Sequence, residues 1–203
     1  MIPSLEGPLI WLGIVAAFLL IDLLIATLAI RRLRIWPTPG PGTWQYYLWW
    51  VLFRGLNVLC FAVAIAGLGG PAALGLPGWV RLIALAALIA SIAVFLYAFF
   101  VLGRDNSYGA SDGLVTAGIY QWSRNPQNAM LIVVYASLAL AADRIAAYVL
   151  CGAMIAVYVL MVLAEEPWLE GIYGEPYRRY TAEVPRFFNW RRALGLAPKR
   201  SHG

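Results

Sequence analysis

Two stretches of the chain concentrate residue types able to hold and align a charged molecule. The first runs from Gly113 to Asn128 and carries Tyr120, Arg124, Asn125, Gln127 and Asn128. The second opens on the paired carboxylates Glu165 and Glu166, passes through Leu169, Tyr173, Tyr177 and Tyr180, and closes on Val184-Pro185-Arg186. Carboxylates and aromatic faces suit a cation. An arginine fork and an asparagine amide suit a carboxylate. Such a set fits a reaction governed by alignment of donor and nucleophile, which needs no metal. The single histidine, His202, lies in the tail Lys199-Arg200-Ser201-His202-Gly203, so a multi-histidine metal centre is excluded. Pro126 and Gly174 are read as backbone-shaping residues.

These polar stretches interrupt a chain of 203 residues that is 62% hydrophobic and 12% charged, with a mean hydropathy of +0.74. That is too little polar surface for a water-facing domain. The apolar residues cluster into runs long enough to cross a bilayer, which takes about 20 helical residues. The runs predict an all-α polytopic membrane protein of about five spans: Leu9–Ile30, Tyr47–Leu68, Val80–Leu102, Ala129–Ala142 and Ile145–Ala164. The fourth has about 14 clearly apolar residues, roughly 21 Å of helix, which is short for a full crossing. Asp143-Arg144 makes a tight polar turn between the fourth and fifth, so this pair reads as a helical hairpin. It returns the chain to one membrane face and must bring the two polar stretches together. Glu6 stands where a signal peptide would be basic, and the first run is read as a retained helix. The organisation expected is an N-terminal three-helix membrane region over 1–106 and a core over 107–203 made of loop, hairpin and C-terminal segment.

With the N-terminus outside, residues 31–46, 103–128 and 165–203 face the cytoplasm and hold 12 of the 15 basic residues. The opposite arrangement would place that charge outside, against the positive-inside tendency. The net charge of +5 therefore marks a membrane face and not a nucleic-acid partner. Trp36, Trp44, Tyr46, Tyr47 and Trp79 suit interfacial belts. Cys60 and Cys151 fall inside apolar runs and read as inert thiols. Asp22 and Arg54 are ionisable residues within spans, where an unpaired charge costs roughly 2.5–3.5 kcal/mol or more. They fall at similar depth on neighbouring helices. Either they form an ion pair, or with Asn57 they make the polar, substrate-binding wall of a cavity.

The ordered motifs Gly118-Ile119-Tyr120, Arg124-Asn125-Pro126, Glu165-Glu166 with Leu169, Gly174 with Tyr177 and Tyr180, and Val184-Pro185-Arg186 carry a resemblance. Across residues 113–188 the chain resembles the superfamily of integral membrane methyltransferases that includes isoprenylcysteine carboxyl methyltransferases and phospholipid methyltransferases. It departs at Asn125, often histidine in that family, and at Asn128, where the family has tyrosine. Asparagine hydrogen-bonds but does not titrate near neutral pH, so proton transfer through that position is absent.

The resemblance implies an S-adenosylmethionine-dependent enzyme acting at the cytoplasmic face on a lipophilic acceptor with a carboxylate, amine or thiol head. It implies that Tyr120, Arg124, Asn125 and Glu165 contact S-adenosylmethionine, with Pro126, Asn128 and Tyr177 on the same surface. Glu166 is then the catalytic base or electrostatic partner and Arg186 the orienter of the acceptor. Two alternatives stay open: a non-catalytic membrane protein with a relic cofactor site, and an NADPH-dependent sterol-type reductase.

Overall fold

The computed structural model describes residues 3–30, 32–103 and 113–194. It is 76% helical, and no strand occurs among the described residues. The bundle consists of α1 (Pro3–Ala29), α2 (Trp44–Gly67), α3 (Gly78–Leu102), α4 (Pro126–Ala142) and α5 (Ile145–Tyr173). A short 3-10 turn, Gly118–Gln121, precedes α4, and two small helices, α6 (Glu175–Glu183) and α7 (Trp190–Ala193), follow α5. Four of these helices are long and apolar enough to cross a membrane, and α4 is a shorter apolar one.

Local chemistry sets the boundaries. Thr43 caps α2, its Oγ1 accepting from the Tyr46 amide at 3.3 Å and donating to the Gly40 carbonyl at 2.8 Å. Gly103 stops α3 at φ 84°, a conformation that favours glycine. Helix α4 begins three residues before the apolar run because Pro126 occupies its first turn, where no amide is needed. Its 17 residues give about 25 Å, against about 30 Å of hydrocarbon. The short fourth span thus gains one polar turn, Pro126-Gln127-Asn128. That turn faces the cavity described below.

Helix α5 is central and packs on α1, α2 and α4. Its buried face, including Leu150, Cys151, Met154, Val157 and Met161, joins Leu20 and Leu24 of α1 and Leu56, Cys60 and Val63 of α2 in one core. Cys60 and Cys151 are free thiols buried there. Helix α3 leans on α4 through Ala84, Ser91 and Ala98, three small residues spaced by seven. Small residues at that spacing let two helix backbones approach where lipid gives no hydrophobic drive. Leu82, Ile83, Ile89, Leu96, Tyr97 and Phe100 of α3 are exposed, as a lipid-facing helix requires.

Opposite the polar stretches, the 68–77 loop is tied down by Asp143. Its carboxylate accepts from the amides of Leu74 and Leu76 and from the Tyr148 hydroxyl, each at 3.0 Å, while its own carbonyl accepts from the Ala73 amide at 2.7 Å. Arg81 donates to the carbonyls of Ala141 and Leu68 at 2.9 and 2.7 Å. Asp143 is therefore more than a turn residue: it satisfies backbone amides in a loop that has no secondary structure of its own. Burial pushes its carboxyl up, but the two amides, the hydroxyl and nearby Arg81 outweigh it and hold the group below the usual carboxylate range. A depressed value contributes stability above the ordinary range and loses it as pH falls through the depressed one. Asp143→Asn should lower the melting temperature by about 5 °C or more at neutral pH. The gap to the wild type should close on acidification, as read by thermal scans in detergent.

Candidate active site

The two polar stretches are laced together at one end of the bundle. The Arg124 amide donates to the Pro185 carbonyl at 3.1 Å and the Asn189 amide to the Trp122 carbonyl at 2.8 Å. Ser123 Oγ and Asn125 Nδ2 both donate to the Arg186 carbonyl, at 3.2 and 3.3 Å. The Tyr180 hydroxyl donates to the Tyr120 carbonyl at 2.7 Å. Tyr177 and Tyr180 are buried and pack with Val184, Leu114 and Leu169, so they are not interfacial anchors. Burial raises the phenols of Tyr120 and Tyr177 well above their ordinary value, which leaves both as neutral hydrogen-bonding groups.

An ion-pair triad locks this arrangement. Glu166 Oε1 accepts from Arg124 Nη2 at 2.6 Å and from Arg186 Nε at 3.0 Å, and Oε2 accepts from Arg186 Nη2 at 2.5 Å. Arg124 Nη1 donates to the carbonyls of Thr181 and Val184 at 3.1 and 2.7 Å. The hydrogen bonds to Glu166 raise the Arg186 guanidinium above its already high value. Neither Glu166 nor Arg186 lines the cavity, and both carboxylate oxygens are taken. With Arg124, their hydrogen bonds tie the two polar stretches together. Arg124 does reach the cavity wall, but both its Nη groups are engaged and only a buried Nε lacks a partner.

The cavity itself has a volume of about 350 Å³. The connector after α1 supplies Trp36, and the first half of α2 supplies Trp50, Phe53, Arg54 and Asn57. Phe95, Phe99 and Leu102 come from the end of α3, and Gln127, Asn128 and Leu131 from the start of α4. Tyr158, Met161, Glu165, Leu169 and Tyr173 come from α5, with Tyr120, Asn125, Tyr177 and Tyr180 completing the wall. Helices α2 and α3 both line it without being packed on one another. Glu165 Oε2 accepts from Trp36 Nε1 at 3.3 Å, a link between residues 129 apart in sequence. The Tyr120 hydroxyl accepts from Gln127 Nε2 at 3.2 Å. Asn57 accepts a short hydrogen bond from the Tyr135 hydroxyl and donates to the Phe53 carbonyl at 2.6 Å.

Of the residues singled out from sequence, Tyr120, Arg124, Asn125, Asn128, Glu165, Tyr177, Arg54 and Asn57 meet at this cavity. Pro126 is buried as the first residue of α4 and shapes the wall without lining it. Asp22 is exposed on α1 and is not part of the wall; no ion pair joins it to Arg54 among the described residues. The Arg54 guanidinium lies instead 4.9 Å from the centre of the Trp50 ring. Trp36 is likewise no interfacial belt residue: it is buried, with its ring 5.2 Å from that of Trp49. Trp36 and Tyr158 were missed as cavity residues. The signal for Trp36 was its place in a proline-rich connector that cannot be helix and so must fold against something.

The fold and cavity define an all-helical membrane protein with a polar, aromatic-walled site at one end of the bundle. Residues 79–176 match the model of the phospholipid methyltransferase family, in agreement with the resemblance to integral membrane methyltransferases. No curated protein and no solved structure matches the chain. The matched segment runs from α3 to the start of α6 and holds Arg124, Glu165 and Glu166; Trp36, Arg54, Asn57 and Arg186 lie outside it.

Truncating the hub should loosen the whole lid of the site. Glu166→Ala leaves two guanidinium groups without their carboxylate and should cost roughly 2 kcal/mol, allowing for partial exposure of Arg186. Hydrogen exchange across residues 175–189 should accelerate, as read by mass spectrometry in detergent.

Proposed function

We propose that the protein is an S-adenosylmethionine-dependent methyltransferase that acts at the cytoplasmic membrane face on a lipophilic acceptor. The observation that carries this reading is Glu165, a carboxylate held by Trp36 inside an aromatic-walled cavity that the family-matched segment helps to build. A carboxylate among aromatic faces suits a cationic ligand, and the donor is a sulfonium with an ammonium group. Asn125 and Asn128 present amides that can serve its carboxylate, and Trp50, Phe53 and Phe99 offer slots for a flat base.

When bound, S-adenosylmethionine supplies an electrophilic methyl group. The chain's part is to orient and to exclude water. Trp36 fixes the carboxylate of Glu165 by donating one hydrogen bond to it. The Arg124–Glu166–Arg186 triad holds the two polar segments against each other, so that Tyr120 and Asn125 keep their places. No histidine lines the cavity among the described residues, and Glu166 is fully engaged, so the acceptor's nucleophile would be prepared by desolvation and alignment. An acceptor dissolved in the bilayer would reach the cavity sideways, through the gap that α2 and α3 leave between them. Placing the C-terminus in the cytoplasm puts the cofactor's side of the cavity in contact with the compartment that holds it.

Calorimetric titration with S-adenosylhomocysteine tests the reading. Wild type should bind, and Glu165→Gln should bind roughly tenfold or more weakly while retaining its thermal stability. Transfer of labelled methyl groups to membrane lipids, followed by mass spectrometry, should fall in parallel. If Glu165→Gln binds and transfers like the wild type, the site is elsewhere. Absence of wild-type binding would favour a relic site or a different cofactor.

A further inference from the structure

Arg54 lines the cavity, and the proposed cofactor contacts leave it unused. It stands ten residues into α2, a helix long and apolar enough to cross a membrane, on the outward stripe of Tyr47, Val51 and Val58. No carboxylate pairs with it among the described residues, and its guanidinium rests on the Trp50 ring one turn towards the start of the helix. An ionisable residue inside a span without a protein counter-charge is costly to keep, and its default meaning is a functional one. Arg54 lines the cavity at the edge where α2 and α3 are not packed together.

We infer that Arg54 is an anion-recognition residue for the lipophilic acceptor, binding a phosphate or carboxylate group on it as it enters between α2 and α3. The inference rests on the methyltransferase reading for the word acceptor, and on the α2–α3 gap and Arg54 for the rest. The geometry suits it. A guanidinium stacked on an indole keeps its N–H edge directed outward in a fork that matches two oxygens of one anion. The apolar residues around it suit acyl or prenyl chains. Arg54 also lies outside the segment that matches the family, where residues particular to this chain's acceptor would be expected to sit. The cofactor's own carboxylate is the competing anion; the amides of Asn125 and Asn128, at the start of α4, are assigned to it here.

The test uses the full chain in neutral detergent and two probes of equal chain length, dioctanoyl phosphatidic acid and uncharged dioctanoylglycerol. Binding is followed by tryptophan fluorescence, since Trp36 and Trp50 line the cavity. Wild type should bind the anionic probe about tenfold or more tightly than the neutral one. Arg54→Met should erase that preference and Arg54→Lys should keep part of it, both with wild-type affinity for S-adenosylhomocysteine. The inference is overturned if Arg54→Met keeps the preference, or if wild type binds both probes equally. It is also overturned if Arg54→Met loses S-adenosylhomocysteine binding instead, which would assign the guanidinium to the cofactor. If the charge preference depends on Arg54 but wild type binds no S-adenosylhomocysteine, the anion site stands and the methyltransferase reading fails.

Discussion

One carboxylate shared between two guanidinium groups holds the functional end of this protein together. Glu166 sits near the end of a 29-residue helix, beside Pro167, whose missing amide leaves the carbonyl of Leu163 without its helical partner. Its two oxygens take both Arg124, from the segment before α4, and Arg186, from the segment after α6. Arg124 extends the link to the carbonyls of Thr181 and Val184. Three stretches far apart in sequence are thereby fixed at one point. Without the carboxylate, two cations would face each other across a half-buried gap. The triad therefore favours one arrangement of the chain segments, which a purely apolar contact would specify less sharply.

The adjacent glutamate shows how one helical step changes a carboxylate's task. Glu165 points into the cavity and has a single hydrogen bond, from Trp36, whereas Glu166 points to the arginines and is saturated. Successive residues on a helix diverge by about 100°, so a Glu-Glu pair cannot serve one ligand with both side chains. One acid is available to a ligand because the other is committed to the scaffold. The division also explains why Trp36 has to be buried: it is the indole of a proline-rich connector that reaches across from α1 to hold the available acid.

Much of the fold was legible because run length and hydropathy act locally. Helices α2 and α3 lie within three residues of their apolar runs, whereas α1 begins six residues before its run and α5 continues nine residues past Ala164; the tight turn at Asp143 falls where two polar residues interrupt a run. Helix α4 starts three residues before its apolar run, as the shortness of that run allows; Gln127 and Asn128 are polar yet belong to the helix since its first turn lines a cavity and not lipid. The site was half legible. Ordered motifs identified the two segments that meet, and the hairpin required them to meet, but no local rule says which of two adjacent carboxylates turns inward. The contacts that decide this span 129 residues for Trp36–Glu165 and 42 for Arg124–Glu166. Both readings of Asp22 and Arg54, as an ion pair or as one cavity wall, rested on depth alone. Depth does not fix rotation about a helix axis, and rotation places one outward on α1 and the other at the cavity edge.

That rotation gives the membrane its part in the chemistry. Helices α2 and α3 follow one another in sequence, yet the loop between them is held by Asp143, Arg81 and Arg144 against the α4–α5 turn. Anchored at that end and not packed together at the other, the two helices diverge around the cavity. Helix α3 is held to the bundle by its small-residue seam on α4, and α2 by its packing on α1 and α5, so neither needs the other for stability. Under the proposed function, a bilayer-dissolved acceptor would reach polar side chains there without crossing water and would meet Arg54. An opening in a bundle is stable only if both helices beside it are held from behind. Here the clasp at Asp143 and the seam on α4 supply that support.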